Sequence, residues 1–256
     1  MNFEELGLCK EIISSIKEKG YKNPTEIQRG AIPHILTGRD LLGCAQTGTG
    51  KTGSFVMPLA EILSSGKSKS RMPRSLILAP TRELAMQVAE EFNFINKFLK
   101  LQMALLIGGV SFTEQDNKLA KGVDVLVATP GRLIDHIERG NVLRKDVKIL
   151  IIDEADRMLD MGVIPDIMKS NKLLPKIRQT LFFSATLSSE IRKIGKNLLI
   201  NPKEITISPY SSTSSNIDSY FFKSHNKNKL DDLKTLLNID PFSSALIFCN
   251  KKKDID

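Results

Sequence analysis

Two stretches of this chain carry residue types and spacings that could do chemistry together. The first is Ala45-Gln46-Thr47-Gly48-Thr49-Gly50-Lys51-Thr52. Small residues let backbone N–H groups turn inward around phosphate oxygens, Lys51 reaches the β- and γ-phosphates, and the Thr52 hydroxyl can hold Mg²⁺ where a helix dipole favours anions. The first position is Ala45, not the usual glycine, so the loop needs corroboration; alone it also fits a Gly/Thr turn ahead of a helix. The second stretch is Asp153-Glu154-Ala155-Asp156, which ends the apolar run Ile149 to Ile152. Hydrolysis of a nucleoside triphosphate needs an acidic site that holds Mg²⁺ and places a water in line with the γ-phosphate. Asp153, at the tip of a buried strand, would hold the metal through water, and Glu154 beside it can orient and polarise the attacking water. Two acids opening a helix also suit its dipole, but the phosphate loop upstream favours catalysis.

The elements that must position these groups are legible as a repeating pattern. Apolar runs at 40–44, 75–79, 103–107, 123–128, 147–152, 180–183 and 203–207 are bounded by turn residues, and all but the last are followed by helix-length segments. Continuous apolar strands alternating with helices predict an α/β fold with a parallel sheet covered by helices on both faces. Ligands of such sheets sit beyond the carboxyl ends of the strands, where each polar cluster of this chain falls. Upstream, helices are expected from Cys9 to Lys19 and after a cap at Thr25. In the second, Ile27, Ala31 and Ile35 face the core and Gln28 is left free to point elsewhere.

Composition sets the wider bounds. The 256 residues suffice for one full domain and part of another, and carry a net charge of +8 with pI near 9.3, which suits an anionic partner, nucleic acid first. No run of 18 apolar residues and no secretion signal is present, so a soluble, cytoplasmic chain is expected. Cys9, Cys44 and Cys249, with His34, His136 and His225, have neither disulfide nor metal spacing. A Ser-rich stretch at 208–216 reads as a linker between a domain at 1–207 and the incomplete start of a second at 217–256. In the latter, Ser219 to Phe222 and Ala245 to Cys249 read as strands and Lys229 to Leu237 as a helix.

Together these letters resemble the DEAD-box ATP-dependent RNA helicases, over nearly the whole chain and most closely compact bacterial members. The resemblance implies a RecA-like P-loop NTPase domain, with ATP and Mg²⁺ as cofactors and RNA as partner. Gly20 to Gln28 is similar to the family's adenine-reading motif, in which Gln28 would pair with adenine; Phe3 stands where an aromatic stacks on that base, although it equally fits a hydrophobic staple for the first helix. The resemblance makes Ala45, Thr47, Gly48, Thr49, Gly50, Lys51 and Thr52 the phosphate cradle, with Thr52 and Asp153 toward the metal and Lys51, Asp153 and Glu154 in catalysis. Pro80-Thr81-Arg82, Gly108-Gly109 and Thr129-Pro130-Gly131-Arg132 match motifs that grip the RNA backbone, Arg82 and Arg132 adding charge. Ser184-Ala185-Thr186 matches the motif coupling hydrolysis to strand separation, bonding back to the acidic box. The family's later motifs, including its arginine fingers, have no counterpart before Asp256, so the expectation is a helicase truncated before its second catalytic half, or else a nucleotide- and RNA-binding module without turnover. Two smaller departures are Gly53, where alanine is common, and Val163 in place of a phenylalanine.

Overall fold

Seven of the apolar runs become strands: Leu41–Cys44 (β1), Ser75–Leu78 (β2), Met103–Leu106 (β3), Val125–Ala128 (β4), Ile149–Ile152 (β5), Gln179–Ser184 (β6) and Lys203–Thr206 (β7). In this computed structural model, which describes residues 2–68, 71–207, 220–223, 229–239 and 244–248, they form one sheet in the order β3-β4-β2-β5-β6-β1-β7. Every pairing is parallel. The five inner strands are buried, apart from Gln179 at the start of β6, whereas the edge strands β3 and β7 alternate in exposure. That is the burial that continuous apolar runs foretell for strands covered on both sides.

The helices that cover the sheet follow the sequence periodicity closely. They are Lys10–Glu18 (α1), Glu26–Leu36 (α2), Lys51–Ser64 (α3), Arg82–Ile95 (α4), Phe112–Ala120 (α5), Pro130–Glu138 (α6), Ala155–Asp160 (α7), Ile164–Leu173 (α8) and Ser189–Leu198 (α9). Helix α8 was not foreseen, because Pro165 looks like a breaker; it sits in the first turn, where the missing N–H costs nothing. Side-chain alternation along the strands divides the core in two. Leu41, Ile77, Ile151 and Phe183 pack with α1–α4 on one face, and Leu42, Leu76, Leu150 and Phe182 pack with α5–α9 on the other.

Two carboxylates fasten the amino-terminal end of the sheet. Asp40 accepts from the N–H groups of Thr180 and Ile200, both at 2.7 Å. Asp124 accepts from Ser68 N, Gln102 N and Arg74 Nε at 3.2, 2.8 and 2.9 Å. Each side chain is buried and joins segments distant in sequence, so the loops at the carboxyl end are spared that task.

The chain divides into two compact units, Met1–Pro209 and Tyr210–Asp256. In the second, Lys229–Ile239 forms the expected helix (α10). Tyr220–Phe222 and Ala245–Phe248 are not strands, contrary to the sequence reading, and these residues are well exposed. Isolated strands lack the neighbouring ladder and apolar face that stabilise a sheet. Ser219, Cys249 and the linker at 208–216 lie outside the described residues.

Candidate active site

The loop after β1 turns through Gly48 and Gly50, at φ +85° and +90°, and enters α3 at Lys51. It forms one wall of a cavity of about 270 Å³ at the carboxyl edge of the sheet. Thr47, Gly48, Gly50, Lys51, Thr52, Gln28, Asp153 and Glu154 all line that cavity, together with Gly53, Leu84, Gln87 and Val88. Residues from four separate strand ends and helices therefore converge as expected. Ala45 is buried behind the loop, where its N–H donates to the Ser184 carbonyl at 3.1 Å, and the half-buried Thr49 folds back onto the Gln46 carbonyl at 2.6 Å. Neither of these two lines the cavity.

Charge is concentrated inside it. Lys51 Nζ stands 3.0 Å from Glu154 Oε1, with both side chains below a tenth exposed, and the Thr47 hydroxyl donates to the same carboxylate at 3.5 Å. Asp153 Oδ1 accepts from the Glu154 N–H at 3.0 Å. Burial pushes the Asp153 carboxyl up to about 7, against the opposing pull of Lys51, and the neighbouring Glu154 and Asp156 push it the same way as burial does. Glu154 sits in the left-handed region at φ 55° and ψ 49°, at the start of α7. For a residue with a long side chain this costs about 1–2 kcal/mol.

A second network joins β6 to the acidic box. Asp156 Oδ2 accepts from Ala185 N at 3.2 Å and from the Thr186 hydroxyl at 3.3 Å. Ser184 is fully buried, and its Oγ accepts from Thr186 N at 3.4 Å. Ser184 thus shapes the turn from behind while Thr186 bonds directly to the box.

At the other end of the cavity the geometry departs from expectation. Phe3 is 5% exposed and belongs to the main core, capped by an Asn2–Glu5 box, so it does not line the cavity. Tyr21 does, at 38% exposure. Sequence reasoning passed over it, although an aromatic next to Gly20 in a polar turn was a readable signal. Lys19, bonded to Glu91, lies over the Tyr21 and Phe94 rings at 5.2 and 4.9 Å, which steadies the turn. Nor is Gln28 free: it is buried and engaged at both ends of its amide.

A separate groove of about 580 Å³ runs along the ends of β2, β3 and β4, lined by Pro80, Thr81, Arg82, Gly108, Thr129, Gly131, Arg132 and Met161. Thr81 caps α4, its hydroxyl accepting from Leu84 N at 3.3 Å. The Arg82 guanidinium packs against Gly108 and Gly109: a Cβ at Gly109 would collide with Nη1, and one at Gly108 would stand 3.0 Å from Nη2. Pro130 is buried in the first turn of α6. Arg132 is tied to its own chain: Nη2 donates to the Val110 carbonyl at 2.6 Å, Nε to Gln115 Oε1 at 3.2 Å, and the guanidinium stacks 3.2 Å from the Phe112 centroid. It lines the groove, but two of its donors are given to the loop after β3 and to the Gln115 side chain.

Asp153, Glu154 and Thr52 offer oxygen atoms to this cavity beside the Lys51 ammonium, and burial above all holds the Asp153 carboxyl up. Hard divalent cations such as Mg²⁺ suit this donor set. Asp153 and Thr52 would hold the ion, which would supply charge neutralisation beside the β- and γ-phosphates.

Comparison with known proteins agrees with this geometry. The DEAD/DEAH box helicase family profile matches residues 25–194. The ATP-dependent RNA helicase CshA of Listeria monocytogenes is 40% identical over 254 residues, which cover 99% of this chain and 48% of that protein. The ATP-dependent RNA helicase DeaD of Buchnera aphidicola is 40% identical over 98% of this chain and 41% of its own length. The crystal structure of a hypothetical ATP-dependent RNA helicase from Sulfolobus tokodaii superposes with a TM-score of 0.71 at 37% identity, covering 77% of this chain and 57% of that one. The chain spans about half the length of the curated relatives it matches. No described helix is long and apolar enough to cross a membrane. A profile covering most of the chain, and relatives this similar across all of it, lead to one conclusion: the chain belongs to the DEAD/DEAH box helicase family.

Proposed function

We propose that the chain is the nucleotide-binding half of an ATP-dependent RNA helicase, in which hydrolysis of ATP drives local separation of RNA strands. Residues 1–207 form the ATP-binding domain, 208–216 the linker, and 217–256 the opening of a second domain. The observation that carries this reading is the acidic box at 153–156, which pairs through Glu154 with Lys51 of the phosphate loop and through Asp156 with Ala185 and Thr186 after β6. In it, Lys51 leaves Glu154 to bind the β- and γ-phosphates, which frees Glu154 to take a proton from the attacking water at Oε1. Asp153 and Thr52 hold the metal; Tyr21 and Gln28 hold adenine. Arg82, Gly108, Gly109, Thr129 and Gly131 receive the phosphodiester backbone, a mode of contact that carries little sequence preference.

A competition titration against a fluorescent ADP analogue tests the nucleotide assignment. ADP is expected to displace the probe at least about tenfold more tightly than GDP, the scale of one to two discriminating hydrogen bonds. Equal affinities would remove Gln28 from its role. RNA-stimulated turnover is expected only when the second domain is supplied; brisk stimulation in the 256-residue chain would overturn the division of labour.

A further inference from the structure

A buried titratable group that the proposed reaction does not use stands behind the groove of Arg82 and Arg132. His136, on α6, is wholly buried, and both its ring nitrogens face side chains of α5: Nε2 is 2.9 Å from Gln115 Oε1, and Nδ1 is 3.2 Å from Asp116 Oδ1. The Gln115 amide can face only one way. The Ile107 carbonyl can only accept, so it takes Nε2, at 3.0 Å; Arg132 Nε can only donate, so it takes Oε1, at 3.2 Å. Because Gln115 Oε1 accepts, the facing His136 Nε2 needs a hydrogen. The half-buried Asp116 carboxylate, which also accepts from Asn141 Nδ2 at 2.7 Å, asks for a second one on Nδ1. No donor among the described residues reaches Nδ1 instead. A neutral imidazole has one hydrogen for these two places, and only the imidazolium fills both.

Through Gln115 this ring reaches the Gly108–Gly109 turn from both sides. Gln115 Nε2 holds the carbonyl of Ile107, just before the turn, and Arg132 Nη2 holds that of Val110, just after it, at 2.6 Å. The two arms meet at Gln115 Oε1, to which Arg132 Nε and the His136 ring both donate. When the ring is neutral, its one hydrogen goes to the stronger acceptor, the charged Asp116 rather than the Gln115 amide. The lone pair on Nε2 then opposes Oε1 at 2.9 Å, and Gln115 is pushed from its seat between Ile107 and Arg132.

We propose that His136 is a positioning residue for the RNA groove: with both ring nitrogens protonated it clamps the Gly108–Gly109 turn through Gln115 and Arg132, so that RNA is gripped more tightly in acid than at neutral pH. The inference rests on the reading of that turn as a seat for the phosphodiester backbone. Burial above all holds the His136 imidazole below its ordinary value near 6.5, against the pull of Asp116 from α5; Arg132 and Arg139, on its own helix, push the same way as burial. Both arginines stack on Phe112, at 3.2 and 3.7 Å from its centroid. On α8, which also packs on α6, Lys169 is held by Glu138 at 2.6 Å, and the loop at 107–111 brings no charge. The clamp is therefore complete only in acidic solution, and affinity for RNA falls as pH rises and the ring loses its second hydrogen.

The test reads affinity for a rhodamine-labelled single-stranded RNA by fluorescence anisotropy at pH 5 and pH 7.5, on the 256-residue chain and on its Asp116→Asn variant. The asparagine amide can donate to Nδ1, so a neutral ring with its hydrogen on Nε2 fills both places and the clamp persists at either pH. Between the two pH values wild type should lose about fivefold more affinity than the variant, the scale of one neutral hydrogen bond. Ring ¹⁵N shifts at pH 7.5 should place the single hydrogen of His136 on Nδ1 in wild type and on Nε2 in the variant. Equal losses of affinity in the two proteins, while Gly109→Ala weakens RNA binding, would overturn the role of His136 and leave the groove reading intact. If Gly109→Ala binds RNA at wild-type strength, the turn is no seat for RNA, and the role of His136 falls with that reading.

Discussion

Asp153→Asn should make the protein more stable, and more so as pH rises. The Asp153 carboxyl, ordinarily near 3.8, is raised to about 7 in the fold, chiefly by burial. Between those values the native state keeps a proton that the unfolded chain has released, so stability falls as pH rises through this window and the full penalty applies above it. From pH 5 to pH 8 the native carboxyl keeps that extra proton over about two units, worth about 3 kcal/mol at 1.36 kcal/mol per unit. Asparagine keeps the oxygen that accepts the Glu154 N–H at 3.0 Å and carries no charge at any pH, while Lys51 retains Glu154 as its counter-ion. Urea unfolding followed by circular dichroism suits a chain without tryptophan. Wild type should lose about 3 kcal/mol more than the variant between pH 5 and pH 8. Parallel stabilities across that range would show that Asp153 titrates as an ordinary surface carboxyl and would sink the account of a carboxyl raised by burial.

Two further substitutions separate shape from charge in the second groove. Gly109→Ala forces a methyl onto a φ of +82° and into Arg82 Nη1. Left-handed strain should cost the fold about 1–2 kcal/mol, and displacement of Arg82 should weaken binding of single-stranded RNA by fluorescence anisotropy about tenfold, the scale of one hydrogen bond to a charged group, while ADP affinity stays put; RNA binding at wild-type strength would show that Arg82 is not held by this loop. Arg132→Lys removes the fork that holds Val110 and Gln115 and the stack on Phe112. A loss of about 1–2 kcal/mol in unfolding free energy is expected, and a variant of full stability with weakened RNA binding would recast Arg132 as a phosphate ligand.

The sheet and its helices were readable because burial on two faces leaves a local mark, unbroken apolar runs for strands and a 3.6-residue period for helices. The loop at 45–52 and the acids at 153–156 were readable because their chemistry depends on neighbours in sequence. What escaped depends on neighbours in space. Nothing local distinguishes Asp40 and Asp124, which fasten the far end of the sheet, from solvated aspartates. Arg132 looked like spare charge because its partners Val110 and Gln115 lie 22 and 17 residues away. Phe3 was read as the aromatic beside the cavity and Tyr21 was passed over, since the burial of Phe3 by its short capped helix turn is a matter of packing that the sequence does not show. In the second unit, apolar runs alone suggested strands, but a run becomes a strand only where another lies beside it.

The left-handed backbone at Glu154 has a consequence for anyone who selects variants of this chain. Asparagine or glycine would sit more easily at φ 55°, so a library screened for heat resistance alone would enrich them there and discard the carboxylate beside Lys51. Folding and the catalytic role proposed for Glu154 pull this one position in opposite directions. Its identity in the survivors of a selection would therefore report which of the two properties had been selected.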